Sequence, residues 1–384
     1  MLDQPLFIVN HSRILLAVTV LVFCVMYVPQ PLISVLSDRF GVDAAAVGLL
    51  VSVTLIPMAV APLTYGYFLK RLSALLVLRW ALVALGLSCV ALAAIDAYTP
   101  FLVLRGIQGL IMPAILTALM AYLSAQQDSL GLKAIMARYV AATIVGGLLG
   151  RLVSGGISQW YDYHLTYWLL AVCLIGAAVL PWQRAPRRAM NATLPTRAGL
   201  LRAWSIQGNL WRFLAVSCLF AVFAGFLNFL PLRLTTLDGG IGPALIGLAY
   251  VGYLGGIATS LGGQRIARTV GGVDRTMQGA MVLVCLSILA SIWLPVVGLF
   301  VMMWVFCLSM FLIHTLAVGE VNQAEPELRG VVNGLYVAHY YGGGVIGTWL
   351  PGYVYDAHGW TALMVTFALI GSAGVVCLVK AQGR

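Results

Sequence analysis

The sequence predicts an all-α integral membrane protein: twelve transmembrane helices in two six-helix bundles related by a parallel pseudo-repeat. Three observations carry that reading. Of 384 residues, 61% are hydrophobic and 9% charged, against roughly 25% charged in soluble domains. Identities recur at one offset of 197 residues, close to half the chain: Gly66 with Gly263, Arg71 with Arg268, Tyr139-Val140-Ala141 with Tyr336-Val337-Ala338, and Gly146, Gly147, Gly150 and Gly155 with Gly343, Gly344, Gly347 and Gly352. A fixed period of this size marks one unit written twice. The basic residues, finally, gather on one side of the apolar segments, as the positive-inside rule requires.

A spanning helix needs about 20 mainly apolar residues. Segments that meet this requirement lie at 14–36, 45–69, 74–95, 100–123, 134–157 and 165–180, and again at 211–234, 244–261, 277–294, 295–318, 331–354 and 361–379. Pro295 separates two nearly merged helices, since proline starts a helix and breaks its predecessor. Residues 1–182 then form the first bundle, 183–210 a basic cytoplasmic linker, and 211–384 the second bundle. The first apolar stretch is too long for a signal-peptide core and is expected to stay as a span.

The formal charge of +10 raises nucleic-acid binding, but the basic positions describe a topology instead. With the amino terminus inside, the inner face receives Arg13, Lys70, Arg71, Arg79, Lys133, Arg138, the linker arginines, Arg212, Arg265, Arg268, Arg275, Arg329, Lys380 and Arg384; the outer face receives Arg39 and Arg233. Both termini are thereby placed in the cytoplasm. The linker could also hold anionic lipid headgroups. Seven cysteines, all within predicted helices and with no CxxC pair, read as packing residues and not as a disulfide framework or metal site. No phosphate-binding loop, paired membrane carboxylates, HExxH pattern or nucleophile elbow occurs, which leaves an enzymatic reading without support.

Polar residues inside the spans mark candidate function, because each is costly in a bilayer. The fourth helix carries Leu104-Arg105-Gly106-Ile107-Gln108-Gly109, and the fifth a small-residue face from Gly146 through Gly150 and Gly155 with Arg151 among it. Two arginines with no acid in the first six helices favour an anionic or zwitterionic substrate, since guanidinium matches carboxylate or phosphate. The bland alternative is that each binds helix-end carbonyls or a tyrosine such as Tyr139. Val28-Pro29-Gln30-Pro31 and Asn228-Phe229-Leu230-Pro231 interrupt the first and seventh helices and place Gln30 and Asn228 at a cavity, or as glue between helices. On the eleventh helix Tyr336, His339 and Tyr340 share a face by three-and-four spacing. His339 and His314 are candidates for carrying a proton. Tyr27, Tyr250 and Trp304 supply aromatic surface or pack.

On these residues the chain resembles the major facilitator superfamily over its whole length, and within it the twelve-helix drug and metabolite efflux branch, including permeases of the arabinose-efflux type. Arg105-x-x-Gln108-Gly109 fits the family's fourth-helix motif, whose arginine is implicated in proton transfer or charge balance. The glycines of the fifth helix resemble the exporter motif that hinges the transport cycle, with Arg151 where proline is usual. Gly66 and Arg71 fit the gating loop after the second helix, with Lys70 at the usual aspartate; Gly263 and Arg268 repeat it.

The resemblance implies a monomeric secondary transporter of the bacterial inner membrane, without cofactor or metal, exporting a small molecule by alternating access in exchange for protons. The substrate is a metabolite such as a siderophore or carboxylate, or an amphipathic drug. Uptake by symport, a uniporter, and a non-transporting membrane sensor are the other readings. Arg105→Ala is expected to abolish transport and leave folding intact.

Overall fold

The computed structural model describes residues 4–69, 72–125, 129–180, 194–237, 239–322 and 328–382, with side chains from residue 13 onward except 121–137. Lys70 and Arg71 lie outside them. Every regular element among the described residues is helical.

The first half comprises α1 (Gln4–Tyr27), a 3-10 turn (Gln30–Leu32), α2 (Ile33–Phe40), α3 (Ala44–Leu69), α4 (Ala74–Leu92), α5 (Tyr98–Ala125), α6 (Ser129–Trp160) and α7 (His164–Val179). In the second half follow α8 (Arg197–Ser205), α9 (Asn209–Leu234), α10 (Pro243–Ala249), a 3-10 turn (Tyr250–Gly252), α11 (Tyr253–Val270), α12 (Val273–Ala290), α13 (Val296–Val321), α14 (Arg329–Trp349) and α15 (Pro351–Gln382). Among the described residues, ten helical stretches are long and apolar enough to cross a membrane, and α7 is a shorter apolar helix. The remaining span, α14, is diluted by Tyr336, His339, Tyr340, Tyr341 and its glycines. Helix α15 is broken at Gly359 (φ 73, ψ −169), a left-handed conformation that suits glycine, so its first turns extend the eleventh span and the rest forms the twelfth.

One expectation needs correcting, and one element is additional. The seventh span is not interrupted at Asn228-Phe229-Leu230-Pro231: α9 runs unbroken through Pro231, whose missing N–H frees the Leu227 carbonyl, and that carbonyl accepts from Tyr250 Oη at 2.8 Å instead. The linker, secondly, contains a helix, α8, whose N-cap Thr196 accepts from Gly199 N at 3.0 Å. Its Trp204 packs against the core of the second half.

Two apolar cores form, one in each half, and the repeat governs how each is packed. A Cβ on Gly146 would lie 2.6 Å from the Val20 carbonyl oxygen, and one on Gly343 would run into the Ser217 carbonyl. Gly150 faces the Cys24 backbone, and Gly347 the Ala221 backbone. Val20 and Ser217, like Cys24 and Ala221, are themselves separated by 197 residues. The duplication is thus preserved contact by contact, with the fifth span pressed on the first and the eleventh on the seventh. Small residues permit this backbone approach. Gly150→Ala would bring a methyl within 2.7 Å of the Cys24 Cα, where only backbone can yield, and should cost about 1–3 kcal/mol by overpacking. Gly156→Ala, which meets nothing within 4 Å, should be neutral in the same melting experiment.

Between the halves, α3 packs on α14 and the start of α15, and α6 on α10. The first and seventh spans meet through the 3-10 turn and α2. Contacts between halves, apart from those of α3 with α14, therefore collect at the end that holds Gln30, Gln159 and Asp356.

Candidate functional site

Two helix breaks meet at one arginine. Pro29 and Pro31 cannot donate to an α-helical ladder, so the first span tightens into a 3-10 turn that carries Gln30, 1% exposed. In the eighth span, the other 3-10 turn presents Tyr250, and Tyr253 begins the helix that follows. No proline causes this break; Gly252, Gly255 and Gly256 weaken the helix locally and admit the Met303 carbonyl, Trp304 and Phe311 of α13.

Arg151 of α6 fills the space between the two turns and is fully buried. Its Nε donates to Gln30 Oε1 at 2.8 Å, one terminal nitrogen to Gly147 O at 2.6 Å, and the other to Tyr253 Oη at 3.0 Å. The guanidinium carbon lies 4.0 Å from the Tyr27 ring centroid, 4.6 Å from that of Tyr253 and 5.0 Å from that of Tyr250. Gln30 and Tyr27 belong to the first half, Tyr250 and Tyr253 to the second. Among the described residues no carboxylate pairs with Arg151. Ring faces and neutral oxygens hold its charge.

Beside this cage lies the aromatic face of α14. Tyr340 stacks on Phe220 with centroids 3.7 Å apart, and Tyr341 stands edge-on to Tyr340 and packs against the core of the first half. His314 Nδ1 is 2.8 Å from Tyr336 Oη, and its ring is 4.8 Å from Tyr340. His339 does not join Tyr336 and Tyr340 in one wall, as its spacing predicts. It donates from Nδ1 to Leu335 O at 2.8 Å, stacks on Phe213 at 5.2 Å and meets Trp204 of α8 at 6.2 Å. The reason is angular: each residue turns about 100°, so His339 and Tyr340 flank Tyr336 on opposite sides.

Arg105 stands apart from Arg151, inside the first half. It donates to the carbonyls of Leu50 (3.2 Å), Val25 (3.0 Å) and Met26 (2.9 Å) and to Gln108 Oε1 (2.6 Å). Gln108 Nε2 donates onward to Ser88 Oγ at 3.0 Å. These bonds tie α5 to α1, α3 and α4. Asn228 Nδ2 donates to Thr348 O at 3.0 Å, within the second half. Thr348, which stands 197 residues after Arg151, has its hydroxyl 2.6 Å from Ser52 Oγ of the first half. Arg151 and Thr348 thus occupy equivalent places in the repeat, and both bridge the halves.

Among the expected hinge positions, Gly155 closes on the Pro243 carbonyl and Gly352 on the Ala45 backbone, both across the halves. Gly263 faces Leu312 and Leu316 at ordinary distances. Gly66 is half-buried on α3, and Arg268 is exposed. At the far surface of the first half, Arg39 donates to Asp96 at 2.8 Å, and His164 contacts both Asp96 (3.2 Å) and Asp162 (2.5 Å). The hydrogen bond from Arg39 holds the Asp96 carboxyl below the usual carboxylate range.

Tyr253 was not among the residues that the sequence singles out. Its signal is its position three residues after Tyr250, beside a run of glycines.

Comparison with known proteins agrees with this architecture. A family model described as the Major Facilitator Superfamily matches residues 15–323. The inner membrane transport protein YnfM of Escherichia coli is 23% identical over 364 residues, covering 91% of this chain and 86% of YnfM. An uncharacterized MFS-type transporter of Bacillus subtilis, YybF, is 28% identical over 158 residues, which span 39% of that protein. Quinidine resistance protein 1 of Saccharomyces cerevisiae is 23% identical over 180 residues, 31% of its length.

Among solved structures, a mutant of the nucleoside transporter NupG superposes with a TM-score of 0.82 at 16% identity, covering 97% of this chain and all of that one. A bacterial homologue of the human lysosomal transporter Spinster, inward-facing and unoccupied, gives 0.75 at 15% identity, covering 99% of this chain and 96% of that one. YnfM, YybF, NupG and the Spinster homologue are all named as transporters. With its paired bundles, repeated helix packing and matching family model, the chain belongs to the major facilitator superfamily of secondary transporters and is a multi-pass membrane protein.

Proposed function

We propose that this chain exports a small organic molecule bearing an anionic or zwitterionic group, by alternating access across a bacterial inner membrane and in exchange for protons. The observation that carries the reading is Arg151, a guanidinium with no carboxylate partner among the described residues, bonded at once to Gln30 of one half and Tyr253 of the other. In the state closed at this end neutral oxygens alone hold the guanidinium, and a substrate that loads there offers it a charged acceptor. A carboxylate or phosphate of the substrate supplies one in fork geometry. Tyr27, Tyr340 and Tyr341 provide an aromatic lining for its organic part.

The basic asymmetry of the loops supports an outer position for the Gln30, Gln159 and Asp356 end. Closure there is the state in which an exported molecule loads from the cytoplasm. Similarity to a yeast protein named for quinidine resistance supports efflux as the direction. For coupling we assign His314, whose Nδ1 meets Tyr336 Oη in the aromatic face next to the cage, because an imidazole can take up and release a proton.

A stability screen of the purified protein against carboxylates, phosphates and amphipathic drugs tests the substrate class, since a specific ligand raises the melting temperature by mass action. Stabilisation by cations alone would remove the anionic reading. With the ligand in hand, everted vesicles test direction: accumulation under an inside-acid gradient is expected, and accumulation only under the opposite gradient would make the chain an importer. His314→Gln should retain counterflow, which needs no net proton movement, and lose gradient-driven accumulation. If that variant still accumulates substrate under the gradient, coupling resides elsewhere.

A further inference from the structure

The end at which the halves meet carries a second pair of repeat-related contacts, outside the arginine cage. Asp356, in the first turns of α15, accepts from the backbone N–H groups of Ala44 and Ala45, one per carboxylate oxygen and each at 3.0 Å. These are the first N–H groups of α3, in the other half. Such groups have no partner inside their own helix, and the positive end of the helix dipole favours a carboxylate.

Exactly one repeat earlier in the chain, 197 residues before Asp356, stands Gln159 at the end of α6. Its Oε1 faces Ala244 N at 3.5 Å, and it presses on Gly242 so closely that a Cβ there would overlap it. Ala244 is the second residue of α10, likewise in the opposite half. Pro243, the first, has no N–H to offer.

Each acceptor stands four residues after a glycine that brings the same two helices into backbone contact: Gly155 precedes Gln159, and Gly352 precedes Asp356. Residues at that spacing share a helix face. One face of the fifth span and one of the eleventh therefore end in the same device, a glycine followed one turn later by an oxygen that caps a helix of the opposite half.

We propose that Asp356 and Gln159 are gate residues of the transport cycle, related by the internal repeat, which hold this end of the transporter closed by capping α3 and α10 across the junction. The caps are unequal. Asp356 makes two charge-assisted bonds, whereas Gln159 makes one longer, neutral bond, and charge-assisted bonds are the stronger kind. Opening must uncover both helix ends, so the balance between the closed and open states follows the strength of the caps. This holds for either direction of transport and for any substrate.

The test is a distance measurement on the full-length protein in lipid nanodiscs. Spin labels are placed at Thr99→Cys and Trp293→Cys, exposed positions beside the α4–α5 and α12–α13 turns at this end. Asp356→Ala should move the distribution towards a longer, open population, and Gln159→Ala should do so to a smaller extent. Gln159→Glu, which gives α10 a carboxylate cap, should move it the other way, below the open fraction of the wild type.

Opposite shifts from Asp356→Ala and Gln159→Glu distinguish a gate from general damage, which would broaden both in one direction. An Asp356→Ala distribution that overlays the wild type, or a shift of Gln159→Glu towards the open population, would overturn the proposal. Should Asp356→Ala fail to fold, Gln159→Glu decides alone: a closed shift supports the gate, and an unchanged distribution refutes it.

Discussion

Arg151→Ala is expected to reduce counterflow by at least about 100-fold, the largest loss of function of any single substitution in this chain. The arginine donates to Gln30, Gly147 and Tyr253 and lies against three tyrosine rings. A hydrogen bond to a charged group contributes about 1.5–3 kcal/mol and a desolvated cation–π contact about 2 kcal/mol. Losing one such contact with substrate already accounts for a factor on the order of 10 to 100. Arg151→Lys keeps the charge and loses the planar fork, so it should recover only part of the activity. The check is counterflow with the ligand from the stability screen, alongside a melting curve. Retention of wild-type counterflow in Arg151→Ala would place the substrate site elsewhere.

Arg105→Ala should act chiefly on stability, which revises the expectation that folding stays intact. Arg105 is the common donor for three backbone carbonyls on α1 and α3 and for the Gln108 amide oxygen, all of them buried. An acceptor left unpaired in a buried site costs about 1–3 kcal/mol; with four acceptors involved, a loss of at least about 3 kcal/mol follows. A fall in melting temperature of more than about 5 °C, together with poor yield, is the expected result. A variant that melts like the wild type and fails to transport would instead show that Arg105 acts directly on substrate or protons.

Much of this architecture was legible in the sequence, because apolar length and glycine spacing express single-helix properties. The spans follow from hydropathy, and the 197-residue offset anticipates the packing of Gly146 on Val20 and of Gly343 on Ser217. Pro29 and Pro31 announce the break in the first span, since a missing N–H is a local fact. What lay hidden depends on partners. The eighth-span break at Tyr250–Gly252 has no proline to signal it and arises where glycines admit α13.

Arg105 and Arg151 look alike as buried cations, yet one ties a bundle together and the other lies between bundles. Only the positions of distant carbonyls and rings separate these roles. His339 was assigned to the wrong neighbours by a spacing rule that tolerates a 100° difference in direction. Gln159 and Asp356 leave no mark among the repeated identities, because these equivalent positions are filled by different residues.

The caps on α3 and α10 have an evolutionary consequence. Asp356 and Gln159 bind main-chain groups, which nearly every amino acid provides in the same place. Position 244, partly exposed, can then drift among homologues without a compensating change at Gln159, whereas Ala44 and Ala45 are buried and held small by packing; the caps themselves dictate no side chain at any of the three, so correlated substitution in an alignment will carry little trace of these contacts. Proline is the exception at each of the three positions, because it lacks the hydrogen on which the contact depends.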